Sequence, residues 1–290
     1  MFTGSINSHA QSALTYYHNE LTTLLVDRDV ISYIGDINFF SPTVLKEVIE
    51  FNKTDKTKLA VLIYSGGGSV ESAEKMVQIM RFHYEDVIFI IPEMAMSAAT
   101  IMCMSGNEIY MDYSSSLGPI DPQVQNKEGI FVPALGYLDK AEEIINKSSN
   151  NICSPAELML LSNMDLGMLR RYEQARDLSI VLLKQWLVKY KFSDWTHHSD
   201  GVTLVTDEER ENRASEIATK FCDHNHWHSH SRYISMDELI NSNIKLKIND
   251  FGMVSNLSFA IRKYHDLLLD YFQGFGKNFY IHCNTHLQGM

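Results

Sequence analysis

The sequence predicts an α/β layered fold, and three observations carry that expectation. Strand-like and helix-like segments alternate from Asp27 to Pro122 in units of about 30 residues, the spacing of parallel βαβ crossovers. Two strand segments, Leu59–Tyr64 (LAVLIY) and Val87–Ile91 (VIFII), are continuous apolar runs, the pattern of strands buried on both faces. The helices between them show apolar residues at helical spacing, as Val70, Ala73, Val77 and Met80 do.

Taken in order, residues 1–26 read as an N-terminal helical extension. Asp29–Ile34 is β-branched and aromatic, hence a strand, and Thr43–Phe51 follows Ser41-Pro42, a helix start with proline in the first turn. The strand Leu59–Tyr64 breaks at Ser65-Gly66-Gly67-Gly68, and the helix Val70–Phe82 follows. Val87–Ile91 is a strand, Ser97–Met104 a short apolar helix, and Glu108–Met111 a short strand. Beyond Gln123 helices dominate: Leu135–Ile145, then Ala156–Tyr190 with a break near Gly167, then Asp207–Cys222 capped by Thr206 or Asp207. Asp194–Val205 is polar and turn-rich. His224–Ile234 alternates as an extended segment would, Met236–Ser242 is a short helix and Ile244–Ile248 a short strand. Leu257–Tyr271 is helical, and Gly274–Met290 carries few local signals. With no repeats or low-complexity linker, one main domain over 27–250 is expected, followed by a C-terminal helical extension over 251–290.

Composition narrows the functional classes. The chain has 290 residues, 36 acidic against 25 basic, a net charge of -11 and 45% hydrophobic content. That is ample core material and too acidic a surface to bind nucleic acid by bulk charge. The apolar stretches fall far short of the ~20 residues that span a bilayer. Met1–Leu14 lacks the basic, apolar, small-residue order of a signal peptide. Cys103, Cys153, Cys222 and Cys283 share no metal-type spacing and are too few for a disulfide scaffold. A cytoplasmic protein without a membrane span is expected.

Three stretches could carry chemistry. Ser65-Gly66-Gly67-Gly68-Ser69 lies between a strand and a helix, where glycines permit positive φ and expose backbone N–H groups that can hold an anion. It lacks the lysine of a P-loop and does not match GxGxxG. In Glu93-Met94-Ala95-Met96-Ser97-Ala98-Ala99-Thr100, a serine sits among small residues where a strand passes into a helix; it either caps that helix or offers a nucleophile beside N–H donors. In Leu117-Gly118-Pro119-Ile120-Asp121-Pro122-Gln123, two prolines stiffen the backbone around a carboxylate.

These three stretches in this order resemble the serine dehydrogenase proteinase family of the Clp protease/crotonase-like superfamily, related to signal peptide peptidase A. The likeness is best from Asp27 to Gln123 and returns weakly over His228–Asp250, where Ser229-His230-Ser231-Arg232 is similar to a late S-H-G-R segment with serine in place of glycine. The resemblance implies a Clp/crotonase-like spiral of repeated ββα units with added C-terminal helices, a homo-oligomer, and hydrolysis of peptide or protein substrates by a serine nucleophile without a cofactor. It assigns Ser97 as nucleophile, and Gly67 or Gly68 with the N–H of Ala98 as the oxyanion hole.

The general base stays open. Clp proteases carry a histidine in the segment that here holds Asp121. Asp121 therefore orients either His230 or its neighbour His228, or a Ser–Lys dyad uses Lys140 or Lys147. Two other classes compete: a non-catalytic crotonase-like scaffold or interaction module, and an acyl-CoA enzyme that polarises a thioester with the same N–H groups. A zinc site is a further alternative, since an extended Cys222–His230 would bring His224, His226, His228 and His230 to one face with Cys222.

Overall fold

The computed structural model describes residues 4–125, 129, 131–242, 244–283 and 286–288. The chain runs α1 (Gly4–Leu24), β1 (Asp29–Gly35), α2 (Ser41–Asn52), β2 (Lys58–Tyr64), α3 (Val70–His83), β3 (Asp86–Ile90), β4 (Met94–Ala95), α4 (Ala98–Cys103), β5 (Glu108–Met111) and β6 (Ser116–Leu117). A hairpin of β7 (Gln123–Gln125) and β8 (Phe131–Pro133) leads to α5 (Ala134–Ser149), α6 (Pro155–Ser162) and α7 (Leu166–Trp186). Then come α8 (Asp207–Cys222), α9 (His224–Trp227), β9 (Ile234–Ser235), α10 (Met236–Asn241), β10 (Asn249–Asp250), α11 (Ser255–Phe275), β11 (Phe279–Cys283) and β12 (His286–Gln288).

Seven strands form the main sheet in the order β10-β5-β3-β2-β1-β11-β12, parallel from β10 to β1 and antiparallel beyond it. Both faces are covered, as the continuous apolar runs require. Ile31, Tyr33, Val61 and Phe89 point to the side of α2 and α3. Val30, Ile34, Leu62 and Ile90 join a second core with Leu14 and Leu21 of α1 and Ile261, Tyr264 and Leu268 of α11. The helix α1 thus covers one face of the sheet, with Leu14 and Leu21 buried in that core.

A smaller second layer repeats beside the main sheet. After β1, Ile37 bridges Gly68; after β2, Ser65 bridges Ala95; after β3, β4 pairs in parallel with β6, which follows β5 and pairs antiparallel with β9. β1, β2, β3 and β5 are thus each followed by a short outer strand or bridge, and the first three then lead directly into a helix. This is the expected spiral of ββα units.

Three sequence expectations need correction. Alternation at His224–Ile234 does not make a strand: the Asp223 side chain accepts from His226 N–H at 3.0 Å and starts the helical turn α9, which ends with His228 at φ +61°. Local capping outweighs the period-two pattern. Ile244–Ile248 forms no strand, and the edge strand is instead Asn249–Asp250. The segment after Gly274 is not loose within its described residues, and the C-terminal extension is not purely helical, because β11 lies wholly buried against β1. The long helix over Ala156–Tyr190 does break near Gly167, with Asp165 capping α7 through Gly167 N–H (2.8 Å). No helix among the described residues is long and apolar enough to cross a membrane.

Candidate active site

The second layer decides which residues meet. In the register Ala95↔Leu117 and Leu117↔Ile234, β4 and β6 run one way and β9 runs against them. Ser97 therefore leaves the layer at the same end as Gly118–Asp121, and His230–Tyr233 enters at that end. Three segments distant in sequence converge by topology alone.

Ser97 has φ +52° and ψ −120°, a backbone that L side chains avoid and that costs about 1–3 kcal/mol. The surrounding bonds hold it there. Met96 N–H donates to Ser65 O (2.9 Å), Ala99 N–H to Met96 O (2.9 Å) and Ile101 N–H to Ser97 O (3.1 Å). The Ser97 hydroxyl makes no capping hydrogen bond to α4, so the capping role does not account for this serine. Thr100, fully buried, ties the turn to the proline segment: its hydroxyl donates to Ala95 O at 2.7 Å and accepts from Gly118 N–H at 2.9 Å.

The glycine run packs directly on this turn. A Cβ on Gly67, at φ +101°, would lie 2.8 Å from Ser97 Cβ and 2.7 Å from Met96 O, and one on Gly68, at φ +136°, 2.1 Å from Ile37 O. Only glycine suits both positions. The Gly67 N–H donates to the buried Ser65 hydroxyl at 3.1 Å. The N–H groups of Gly68 and Ala98 have no acceptor among the described residues.

Asp121 is 1% exposed and held on both sides. Its Oδ1 lies 2.9 Å from His230 Nδ1, its Oδ2 accepts from Gln123 Nε2 at 2.9 Å, and the preceding Ile120 N–H donates to Phe221 O at 3.0 Å. The imidazole is about one-fifth exposed, and its Nε2 has no partner among the described residues. No hydrogen bond joins Ser97 to His230; bonds of this kind commonly tighten only when a substrate is bound. Ser231 stands outside the positive-φ residues, so a serine fits the turn where the resembling segment has glycine.

The other candidates lie apart. Lys140 pairs with Glu143 (2.8 Å), and Lys147 with Glu143 (2.6 Å) and Glu157 (2.7 Å). Those two carboxylates hold the Lys147 ammonium well above the usual lysine range, opposite to what a dyad needs. The zinc alternative loses its geometry with α9. His224 faces Asp139 at 3.4 Å while His230 faces Asp121, burial pushes the Cys222 thiol up to about 12, and no cluster of three or more metal-type side chains occurs among the described residues. The same turn removes the shared face that made His228 an alternative to His230. Ser65 and Thr100 were not singled out by sequence. Ser65 had a signal, as the first residue of the glycine run, whereas Thr100 had none beyond being polar in an apolar helix.

Residues 31–153 match the family described as ClpP-like SDH-type serine proteinase. The uncharacterized proteins MJ0137 and MJ1495 of Methanocaldococcus jannaschii are 33% and 31% identical over 64 residues. Those matches take in 22% of this chain and only 22% of each relative. Among solved structures, a serine-to-alanine variant of the 1510-N membrane-bound stomatin-specific protease is 12% identical, with a TM-score of 0.45, covering 76% of this chain and 77% of its own. A lysine-to-alanine variant of that protease, in complex with a substrate peptide, is 14% identical at the same TM-score, covering 76% and 73%.

Proposed function

We propose that this chain, which over residues 31–153 matches the ClpP-like SDH-type serine proteinase family, hydrolyses peptide bonds with Ser97 as nucleophile, His230 as general base and Asp121 as the group that orients the base. The observation that carries the reading is the Asp121–His230 pair at the end of the second layer from which Ser97 also departs. The strained strand-to-helix turn at Ser97 supports it, since such turns hold a hydroxyl clear of its own backbone.

The chemistry follows from the atoms. With Nδ1–H donated to Asp121, the lone pair on His230 Nε2 accepts the Ser97 proton as Oγ attacks the carbonyl carbon. The tetrahedral oxyanion forms against the N–H groups of Gly68 and Ala98. Gly67 is the weaker donor, because Ser65 already engages it. His230 then protonates the leaving amine, and water, deprotonated by the same imidazole, releases the acyl group from Ser97.

The substrate class in this reading is peptide or protein, and the working form is a homo-oligomer. Self-association is supported by α6, which buries none of its residues and leaves Leu158, Met159 and Leu160 exposed. Labelling with a fluorophosphonate tests the nucleophile. Modification of Ser97, lost in Ser97→Ala and slowed in His230→Ala, is expected. An unlabelled protein would leave the non-catalytic scaffold in its place.

A further inference from the structure

A cleft of about 310 Å³ opens at the opposite end of the main sheet, beside Asn107 before β5 and Asn249 at the start of β10. Ser97 and Asp121 lie beyond the C-terminal ends of the parallel strands β3 and β5, whereas the cleft lies at the N-terminal ends of β5 and β10, so it has no part in the proposed hydrolysis. Its charge is unlike the rest of the molecule. In a chain of net charge -11, it is lined by Lys191, Lys245, Lys247 and Arg213 against two carboxylates, Glu108 and Asp194.

Local structure brings the cations together. Lys191 closes a π-helical turn, Leu187–Lys191, at the end of α7, a wide turn of the type often found at functional sites. Leu246 is buried between Lys245 and Lys247, both lysines line the cleft, and Lys245 adopts φ +43°. Arg213 is engaged by Glu216 and the Ile244 carbonyl. The three lysines make no salt bridge or hydrogen bond among the described residues, and the Glu108 carboxylate accepts instead from the Asn249 amide at 2.7 Å. Burial pushes the Lys191 amine down to about 8; Glu108 pulls it partly back, and Lys247 adds to the depression. A half-buried ammonium beside two more, without a paired carboxylate, is stabilised by an anion carrying more than one charge.

We propose that this cleft binds a compact diphosphate, either free or as the diphosphate of a nucleotide. Its volume is at the small end for ligand sites, so it suits such a group better than an extended chain. Trp195 on the lining offers a ring face for a base in the nucleotide case.

Calorimetric titration of the full chain with inorganic pyrophosphate, and separately with ADP, tests the site. Saturable one-to-one binding is expected. Lys191→Met and the double variant Lys245→Gln/Lys247→Gln should each weaken it at least about tenfold. The two exposed lysines keep the test independent of folding at Lys191. Lys75→Gln on α3, away from the cleft, should leave binding unchanged, and so should Ser97→Ala, which separates this result from the peptidase reading. Tighter binding of ADP points to the nucleotide form, and equal or weaker binding to free diphosphate. No saturable binding of either at millimolar concentration, or equal loss in Lys75→Gln, overturns the proposal.

Discussion

His230 Nδ1 and Asp121 Oδ1 lie 2.9 Å apart across 109 residues of chain. The antiparallel run of β9 on β6 brings them to one end of the second layer, and the two prolines beside Asp121 limit where its carboxylate can go. The second carboxylate oxygen is taken by Gln123. A carboxylate so placed fixes which imidazole nitrogen carries the proton, leaving Nε2 as the basic atom.

Removing the base should therefore cost nearly as much as removing the nucleophile, because the two act as one unit. His230→Ala is expected to lower kcat/KM on a peptide substrate at least ~100-fold, with Asp121→Asn losing less. Steady-state assays of the two variants beside Ser97→Ala decide it. Retained hydrolysis in His230→Ala would falsify the assignment of the base.

Lys140→Ala and Lys147→Ala are expected to keep activity within about twofold, as exposed ion pairs contribute little. Both side chains are charged ammonium groups paired with Glu143 and, for Lys147, also with Glu157. A silent Lys140→Ala or Lys147→Ala enzyme would reinstate the Ser–Lys dyad.

Backbone strain at Ser97 gives a stability prediction. Ser97→Ala keeps the unfavourable φ of +52°, whereas Ser97→Gly releases it. The glycine variant should be more stable than the alanine variant by about 1 kcal/mol, or about 2–4 °C in Tm, with both inactive. Equal Tm values in a thermal scan would show that the turn stores no strain.

The legible part of this molecule was the part written in local pattern. The apolar runs at Leu59–Tyr64 and Val87–Ile91 marked buried parallel strands, and the glycine run marked the close approach now seen between Gly67 and Ser97. His230 was reachable only through the likeness of its short segment to a family pattern, since no local rule ties it to Asp121. Reading the histidine run as extended failed because one side chain, Asp223, can cap a helical turn and so override alternation. β11 was missed because its strand character comes from a neighbour, β1, that precedes it by more than 240 residues.

Gly68 provides a test of the loop that does not depend on serine chemistry. An added methyl would meet Ile37 O at 2.1 Å and must also adopt φ +136°. Gly68→Ala should displace the loop, costing more than about 2 kcal/mol of stability together with activity. Denaturant unfolding measures the first and fluorophosphonate labelling the second. An unchanged midpoint would mean that the loop yields without strain.

The last prediction concerns acid. His282 is buried in β11, with its Nδ1 hydrogen-bonded to Tyr264 OH at 2.5 Å, that hydroxyl also bonded to Ser32 Oγ at 3.2 Å, and the His18 ring 5.6 Å away. Burial, helped by nearby His18, pushes the His282 imidazole down to about 3, and burial lowers His18 as well. In the unfolded chain both protonate near 6.5, so below that pH the unfolded state binds more protons, and for His282 this holds down to about 3. Stability should be fully present above pH 6.5 and fall as the pH drops, by up to about 1.4 kcal/mol per pH unit for each histidine. Between pH 6.5 and 5, before most carboxylates titrate, that slope should be dominated by His18, His282 and any other histidine held neutral. His282→Leu loses the Tyr264 hydrogen bond and is expected to be less stable at pH 7. Its stability should nevertheless change less with pH over that window, because one of the proton-binding groups of the unfolded chain is gone. Urea unfolding of both proteins at pH 7, 6 and 5 measures the two slopes, and parallel slopes would mean that His282 is not held neutral in the folded protein.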